Sequence, residues 1–329
     1  MTLPPDFRGN ALVVHGHSVL YEVSQGHADA RTGTQCTAAT RFQIASVSKQ
    51  FTAAAIMLLV ERGAVALDHE VSRWIRGCPP TWRGITVHHL LTHTSGLGHW
   101  EDFPALDLTA WLPPDEVLKT FHQSAPKFPA GADWYYSSPA YVLLAHIVEQ
   151  AGGEPYRRFL GRHIFEPLDL RDTFAGSPGD RSGRSDRSDR SELATGYAGT
   201  TVAPSFELDA VGMGAGDIWS TTGDLLRWDQ ALATDGLLGS ESRRLLFTSH
   251  APTGFEGQLD AYGYGWQLGR IAGHAVRCHS GDNAGFKAFN AWFPDLSAYV
   301  IVLANNQETD PYALTLRLTE AHLTNPTTP

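Results

Sequence analysis

The sequence predicts a mixed α/β (α+β) fold: an antiparallel sheet flanked by helices, with a mainly helical domain inserted into it. Three observations lead there. Alternating β-rich runs open the chain at 11–25, and they return after residue 210. The stretch between them carries helical spacing interrupted by prolines. A chain with strands at both ends and helices between them builds its sheet from the two ends, around an insertion. The expected boundaries are 1–67 and 201–329 for the sheet domain and 68–200 for the helical one.

Residues 11–25 (ALVVHGHSVLYEVSQ) read as a hairpin, two β-rich runs around the turn-forming His15-Gly16-His17. Residues 46–62 read as a long buried helix. Val47, Phe51, Ala54, Ala55, Leu58 and Leu59 recur at helical spacing, and Gly63 stops it. Residues 64–200 are mostly helical, broken at the prolines of 79–80, 113–114 and 126–129. The clearest helix there is 139–152, with Pro139 at its start and glycine at its end. The tract 179–192 (GDRSGRSDRSDRSE) has nothing to bury and reads as a mobile surface loop. Strands are expected at 262–268, 274–279, 286–293 and 298–304, and a closing amphipathic helix at 310–323.

Composition excludes several classes of function. Of 329 residues, 42% are hydrophobic and 18% charged, which supports a sizeable core. A net charge of -10 with no basic stripe gives no footprint for nucleic acid. No apolar run is long enough to span a bilayer. Residues 1–10 lack the basic flank and apolar core of a secretory leader, so a cytoplasmic chain is expected. Cys36, Cys78 and Cys278 are scattered and odd in number, which disfavours a disulfide framework or a zinc knuckle and suits a reducing compartment.

Three short motifs carry chemistry. Ser46-Val47-Ser48-Lys49 opens the long helix, and its Ser and Lys lie one turn apart on one face. A serine hydroxyl needs a neighbouring base to become a nucleophile, and a desolvated lysine can serve. A helix N-terminus also favours the negative charge that develops. The bland alternative for Ser46 is a helix-capping serine. A second SxxK, Ser124-Ala125-Pro126-Lys127, is broken by Pro126 and Pro129 and is not set on a helical face. Tyr136-Ser137-Ser138 precedes the 139–152 helix, and a tyrosine beside a Ser-Lys pair can relay protons; otherwise Tyr135 and Tyr136 are packing aromatics. His279-Ser280-Gly281 lies on a late strand. Gly281 would let a substrate lie against the strand backbone, and the N–H groups of Ser46 and Asp282 could form an oxyanion hole. By itself His279 is more simply a satisfied strand histidine.

SVSK, YSS and HSG, in that order, resemble the SxxK, YxN and KTG/HxG motifs of serine β-lactamases, penicillin-binding proteins and family VIII esterases. ITVHHLLTHTSGL (85–97), FPAGADWYYSSPAYVLLAHIVEQAGG (128–153), GAGDIWSTTGDLLRW (214–228), YGYGW (262–266) and HSGDNAGF (279–286) are similar to further segments of that superfamily. The resemblance covers nearly the whole chain. It implies a site in the cleft between the two domains, an acyl-enzyme on Ser46, and Lys49 and Tyr136 as the base system, with no cofactor. Three positions depart from the pattern. Ser138 replaces the usual Asn, His279 stands where β-lactamases carry Lys, and Asp282 stands where a small residue is common. The first two argue against efficient β-lactam hydrolysis and resemble the esterase, amidase and acyltransferase branches. Asp282 could recognise a substrate amine or point away.

Other sites are disfavoured. No serine has glycine on both sides in a G-x-S-x-G elbow. His88, His89 and His93 lack HExxH spacing or a carboxylate beside them, so no metal is expected. Cys278 and His279 are adjacent on a strand and point to opposite faces. His99, Trp100, Glu101 and Asp102 either line the cleft or form a loop. The expected activity is hydrolysis of small esters or amides, D-configured ones included by resemblance. The alternatives are a cytosolic transacylase passing the acyl group to an amine or alcohol, and a non-catalytic penicillin-binding-like sensor.

Overall fold

The computed structural model describes residues 2–178, 192–204, 209–254 and 259–324. An eight-stranded antiparallel sheet forms its centre, in the spatial order Ala251–Pro252, Ala261–Tyr262, Gln267–Ile271, His274–Asn283, Phe286–Phe293, Ala298–Ala304, Gly9–His15, Ser18–Gln25. The chain's first strand therefore lies inside the sheet, paired with its last one from Gly9↔Ala304 to His15↔Ala298. The opening hairpin turns at Gly16, whose φ of 58° suits glycine. Strand Ala298–Ala304 is buried along its whole length, because both faces of the sheet are covered.

Side-chain alternation divides two cores across the sheet. Val13, Cys278, Phe289, Val300 and Val302 face the C-terminal helix Pro311–Thr319 with Leu314 and Leu318. Leu12, Val14, Ala288, Trp292, Ile301 and Leu303 face the helical layer. The helix Ser48–Glu61 sits in the middle of that layer, buried from Ser48 to Leu59. From Ala53 to Val60 it is apolar on every side, as a helix surrounded on all sides requires, and its buried polar residues are gathered in the first turns. It packs against the helix Ser138–Gly152. That second helix is capped by the Ser137 side chain, which accepts from the Ala140 N–H, and ends at Gly153 with φ 70°.

Several expectations are corrected. The region 64–200 is less helical than its spacing suggests. Among the described residues its regular α-helices are Val87–Leu91, Pro114–His122, Ser138–Gly152 and Tyr156–Leu160, and it also supplies a strand, Phe174–Ala175, to a small sheet with Phe42–Gln43 and Ile218–Ser220. Helical periodicity within short runs between prolines is too brief to sustain helices without packing partners. The expected 262–268 strand is two strands, since Gly263 and Gly265 turn the chain between Ala261–Tyr262 and Gln267–Ile271. Gly265 has φ 77°, and a Cβ there would lie 2.6 Å from the Lys49 carbonyl oxygen. The strand expected at 274–279 runs on to Asn283. The low-complexity tract lies outside the described residues except for Glu192, which pairs with Arg41 at 2.6 Å.

Candidate active site

Ser46 does not lie on the regular α-helix, as expected, but in a single 3-10 turn, Ala45–Val47, that leads into it. Ala45 holds φ 48°, the left-handed region that a side chain disfavours. The bend lifts the serine out of its surroundings: from Thr40 to Leu59 every residue except Ser46 is buried. Strained backbone at an accessible hydroxyl is a pattern found at reactive sites.

Lys49, fully buried, reaches back over that turn. Its Nζ lies 2.9 Å from Ser46 Oγ, 3.1 Å from Ser138 Oγ and 2.8 Å from the Ala215 carbonyl oxygen. The carbonyl can only accept, whereas the hydroxyls can also donate. In the neutral amine, two N–H groups serve Ala215 and Ser138, and the lone pair is left facing the Ser46 O–H. In the ammonium form, all three oxygens are acceptors. Either state is accommodated, which is what a proton carrier requires. The Tyr136 ring centroid is 5.0 Å from Nζ and that of Tyr141 is 5.6 Å, so the cation also faces aromatic π-clouds.

The Tyr136-Ser137-Ser138 segment is held by two histidines that the motifs do not reveal. Tyr135 N–H donates to the His93 carbonyl at 3.0 Å, Ser137 N–H to His93 Nδ1 at 3.1 Å and Ser138 N–H to His99 Nδ1 at 3.1 Å. The Ser137 hydroxyl donates to the Gly98 carbonyl at 2.8 Å. Both rings must stay neutral at Nδ1 to accept. Burial and then the Lys49 charge hold His93 well below its ordinary range and take His99 down to about 4. The signal for these residues is thin in sequence, because a ring that accepts from backbone N–H groups leaves no pattern of partner side chains.

The strand His274–Asn283 brings the third motif to the same place. His279 Nδ1 donates to the Ser280 carbonyl at 2.7 Å, which fixes the tautomer, and Nε2 accepts from the Tyr262 hydroxyl at 2.9 Å. Burial, with Lys49 adding to it, pushes His279 down to about 3. Gly281 has a reason other than the one expected. The Ile44 carbonyl of the chain entering the Ser46 turn fills the place of a Cβ, so the close approach is the protein's own backbone. Asp282 is largely exposed and forms an ion pair with Lys287, its cross-strand neighbour, at 2.6 Å. The ladder with Gln267–Ile271 ends at Gln267↔Cys278, while the ladder with Phe286–Phe293 continues to Asn283↔Phe286. Among the described residues, the strand therefore has no strand beside one edge from His279 onward.

Other candidates are dispersed. Lys127 pairs with Asp102 at 2.6 Å and covers the Tyr135 ring at 4.5 Å, away from Ser124, whose hydroxyl donates to the Ala125 carbonyl. His88 Nδ1 lies 2.8 Å from the Tyr264 hydroxyl, His89 Nδ1 accepts from Thr86 N–H, and His93 serves Ser137. Three histidines thus have three separate tasks. Cys278 is buried on the opposite face of the sheet from His279.

Residues 8–324 match the family model described as Beta-lactamase. The chain is 30% identical over 338 residues to penicillin-binding protein 4* of Bacillus subtilis (strain 168), which covers 96% of this chain and 72% of that protein. It is 29% identical over 340 residues to esterase EstB of Burkholderia gladioli, covering 90% and 85%. The crystal structure of a penicillin binding protein from Bacillus halodurans superimposes with a TM-score of 0.83 at 26% identity, covering 96% of each chain. With this match over almost its full length and this fold, the chain belongs to the β-lactamase family of serine hydrolases.

Proposed function

We propose that this protein hydrolyses small esters or amides through an acyl-enzyme on Ser46. The observation that carries the reading is the 2.9 Å approach of Lys49 Nζ to a partly exposed Ser46 Oγ, with the lysine held from two other sides. In this reading, Ser46 Oγ attacks the acyl carbon as its proton passes to the Lys49 amine. The carbonyl electron pair moves onto oxygen, where the Ser46 and Asp282 N–H groups receive it. The tetrahedral intermediate collapses and the leaving group departs with the proton returned by Lys49, relayed by Tyr136. Water then adds to the ester, and the reverse sequence releases the acid and restores Ser46.

Among the described residues no strand lies beside one edge of His274–Asn283 from His279 onward, and we assign that side, with Ser138 and His279, to an extended acyl chain. The lysines close to these motifs are engaged: Lys49 with three oxygens, Lys127 with Asp102, Lys287 with Asp282. His279 is neutral with both nitrogens bonded inside the protein. This favours acyl groups without a carboxylate to anchor. Three free cysteines, two of them buried, fit a reducing, cytoplasmic setting.

The test is intact-protein mass spectrometry after mixing with p-nitrophenyl acetate or butyrate, wild type beside Ser46→Ala, with nitrophenol release followed by absorbance. A transient adduct and a burst on wild type alone are expected. Adducts of equal extent on both proteins would defeat the assignment. Faster turnover with added amines or alcohols, and their acylated products, would replace hydrolysis by acyl transfer.

A further inference from the structure

Of the oxygens described around Lys49 Nζ, the Ala215 carbonyl is a backbone acceptor outside the three short motifs. Its direction is set by a tight turn. Ala215 N–H and Gly216 N–H both donate to the Gly212 carbonyl at 2.9 Å. The second of these bonds holds the same peptide plane whose carbonyl points at Lys49. The preceding plane is held from outside the turn. Thr52 Oγ1 lies 2.6 Å from the Gly214 carbonyl and 2.7 Å from the Tyr156 hydroxyl, so it donates to the first and accepts from the second. Gly214 N–H donates to Asp217 Oδ1 at 3.1 Å, and Arg157 Nε stands 3.8 Å from the other Asp217 oxygen. Thr52, Tyr156 and Asp217 are all fully buried. Gly214 itself has φ 78°, and a Cβ there would lie 2.7 Å from Ala145 Cβ and 2.9 Å from the Tyr141 carbonyl oxygen, so the turn has no slack against the neighbouring helix.

Thr52 follows Lys49 by three positions on the same helix, and so lies on the same face one turn on. One helix thus supplies both the amine and the hydroxyl that aims the amine's carbonyl partner. We propose that Thr52, supported by Tyr156 and Asp217, is a positioning residue for acylation: it holds the Gly212–Asp217 turn so that the Ala215 carbonyl orients the Lys49 amine with its lone pair on Ser46. The proposal rests on the acyl-enzyme reading above. Without the carbonyl, the amine can rotate its lone pair away from Ser46, and the ammonium loses an acceptor that favours it. Acylation then slows, and the acid limb of its pH profile moves to lower pH. A merely structural defect lowers the amount of active protein and leaves the limb in place.

The test measures the Ser46 acylation rate with p-nitrophenyl acetate from pH 5 to 10 by nitrophenol burst and intact mass, with folded fraction checked by circular dichroism. Thr52→Val keeps the shape and removes the hydroxyl; the expected loss is about 10- to 100-fold, with the acid limb displaced downward. Thr52→Ser restores the donor, and with it the wild-type rate and limb. Tyr156→Phe frees Thr52 to rotate and should shift the profile in the same direction by less; it serves where Thr52→Val does not fold. An adduct on wild-type Ser46 with unmoved limbs in Thr52→Val and Tyr156→Phe overturns the positioning role alone. No adduct on wild-type Ser46 overturns the role together with the acyl-enzyme reading.

Discussion

Lys49 and Lys127 share a motif spacing and differ in everything that surrounds them. Lys49 is buried against three oxygens and two aromatic rings, whereas Lys127 is a partly exposed partner of Asp102. Lys49→Ala is expected to slow Ser46 acylation by about 10²- to 10⁴-fold. Lys127→Ala should leave the rate unchanged and cost less than about 1 kcal/mol in urea unfolding. Equal losses would remove the basis for choosing between the two segments. Tyr136 is tested by varying the leaving group. A nitrophenolate departs without a proton, while an alkoxide or amine needs one, so Tyr136→Phe should slow alkyl esters and amides far more than nitrophenyl esters. A uniform loss across substrates would reduce Tyr136 to packing. The Ser46-Lys49 pair was legible because one helical turn relates the two side chains. The Ala215 carbonyl was not, since a backbone acceptor has no letter of its own; His93 was weighed only as a metal ligand and His99 only as a cleft or loop residue, because their partners are N–H groups of a distant loop.

At the scale of elements, the helix that carries Lys49 was legible from its apolar spacing, but its first turn was not. The 3-10 turn depends on Ala45 at φ 48°, a conformation that propensity would assign to glycine. Holding alanine there costs about 1–2 kcal/mol, offset by the greater freedom that glycine has in the unfolded chain. Ala45→Gly should therefore leave thermal stability equal or slightly higher while lowering acylation, because the loop gains conformations in which Ser46 turns away. Unaltered acylation kinetics would show that the strained turn does not serve the serine. The same limit explains the broken strand at 262–268. Its alternation of aromatics reads as β, but the turn at Gly263 and Gly265 is dictated by the approach of the Lys49 carbonyl, a contact between segments more than two hundred residues apart.

The whole molecule titrates in two opposed directions. Burial takes His279 down to about 3 and both His88 and His99 down to about 4, below the ordinary value of about 6.5 in the unfolded chain. The unfolded chain therefore binds protons first, so the stability tied to these rings is complete above pH ~6.5 and is lost as pH falls toward 3–4. Asp229 behaves inversely. It lies fully buried on the helix Thr222–Ala233, and desolvation pushes its carboxyl up to about 8, against the Asn290 Nδ2 donor 2.9 Å away that favours the charged form. Its contribution is complete below pH ~3.9 and is lost as pH rises through about 8. Urea unfolding should show His88→Gln losing less stability than wild type between pH 6.5 and 4. Asp229→Asn should gain on wild type between pH 5 and 9, as an amide can face Asn290 without ionising. Parallel profiles for variant and wild type would show that these groups titrate alike in both states. None of this was legible in the sequence, where neither Asp229 nor Asn290 carries a mark of burial.

The sheet's connectivity also bears on how the protein is made. Gly9–His15 leaves the ribosome well before Ala298–Ala304, the strand that flanks it on the interior side and follows it by more than two hundred residues. Until the second arrives, the hairpin of Gly9–His15 and Ser18–Gln25 has an apolar face and a bare edge in the cell. Nascent chains stalled before residue 298 should therefore be held by chaperones and bear no reactive serine, since the strands that border Ser46 hang on a ladder that Ala298–Ala304 closes.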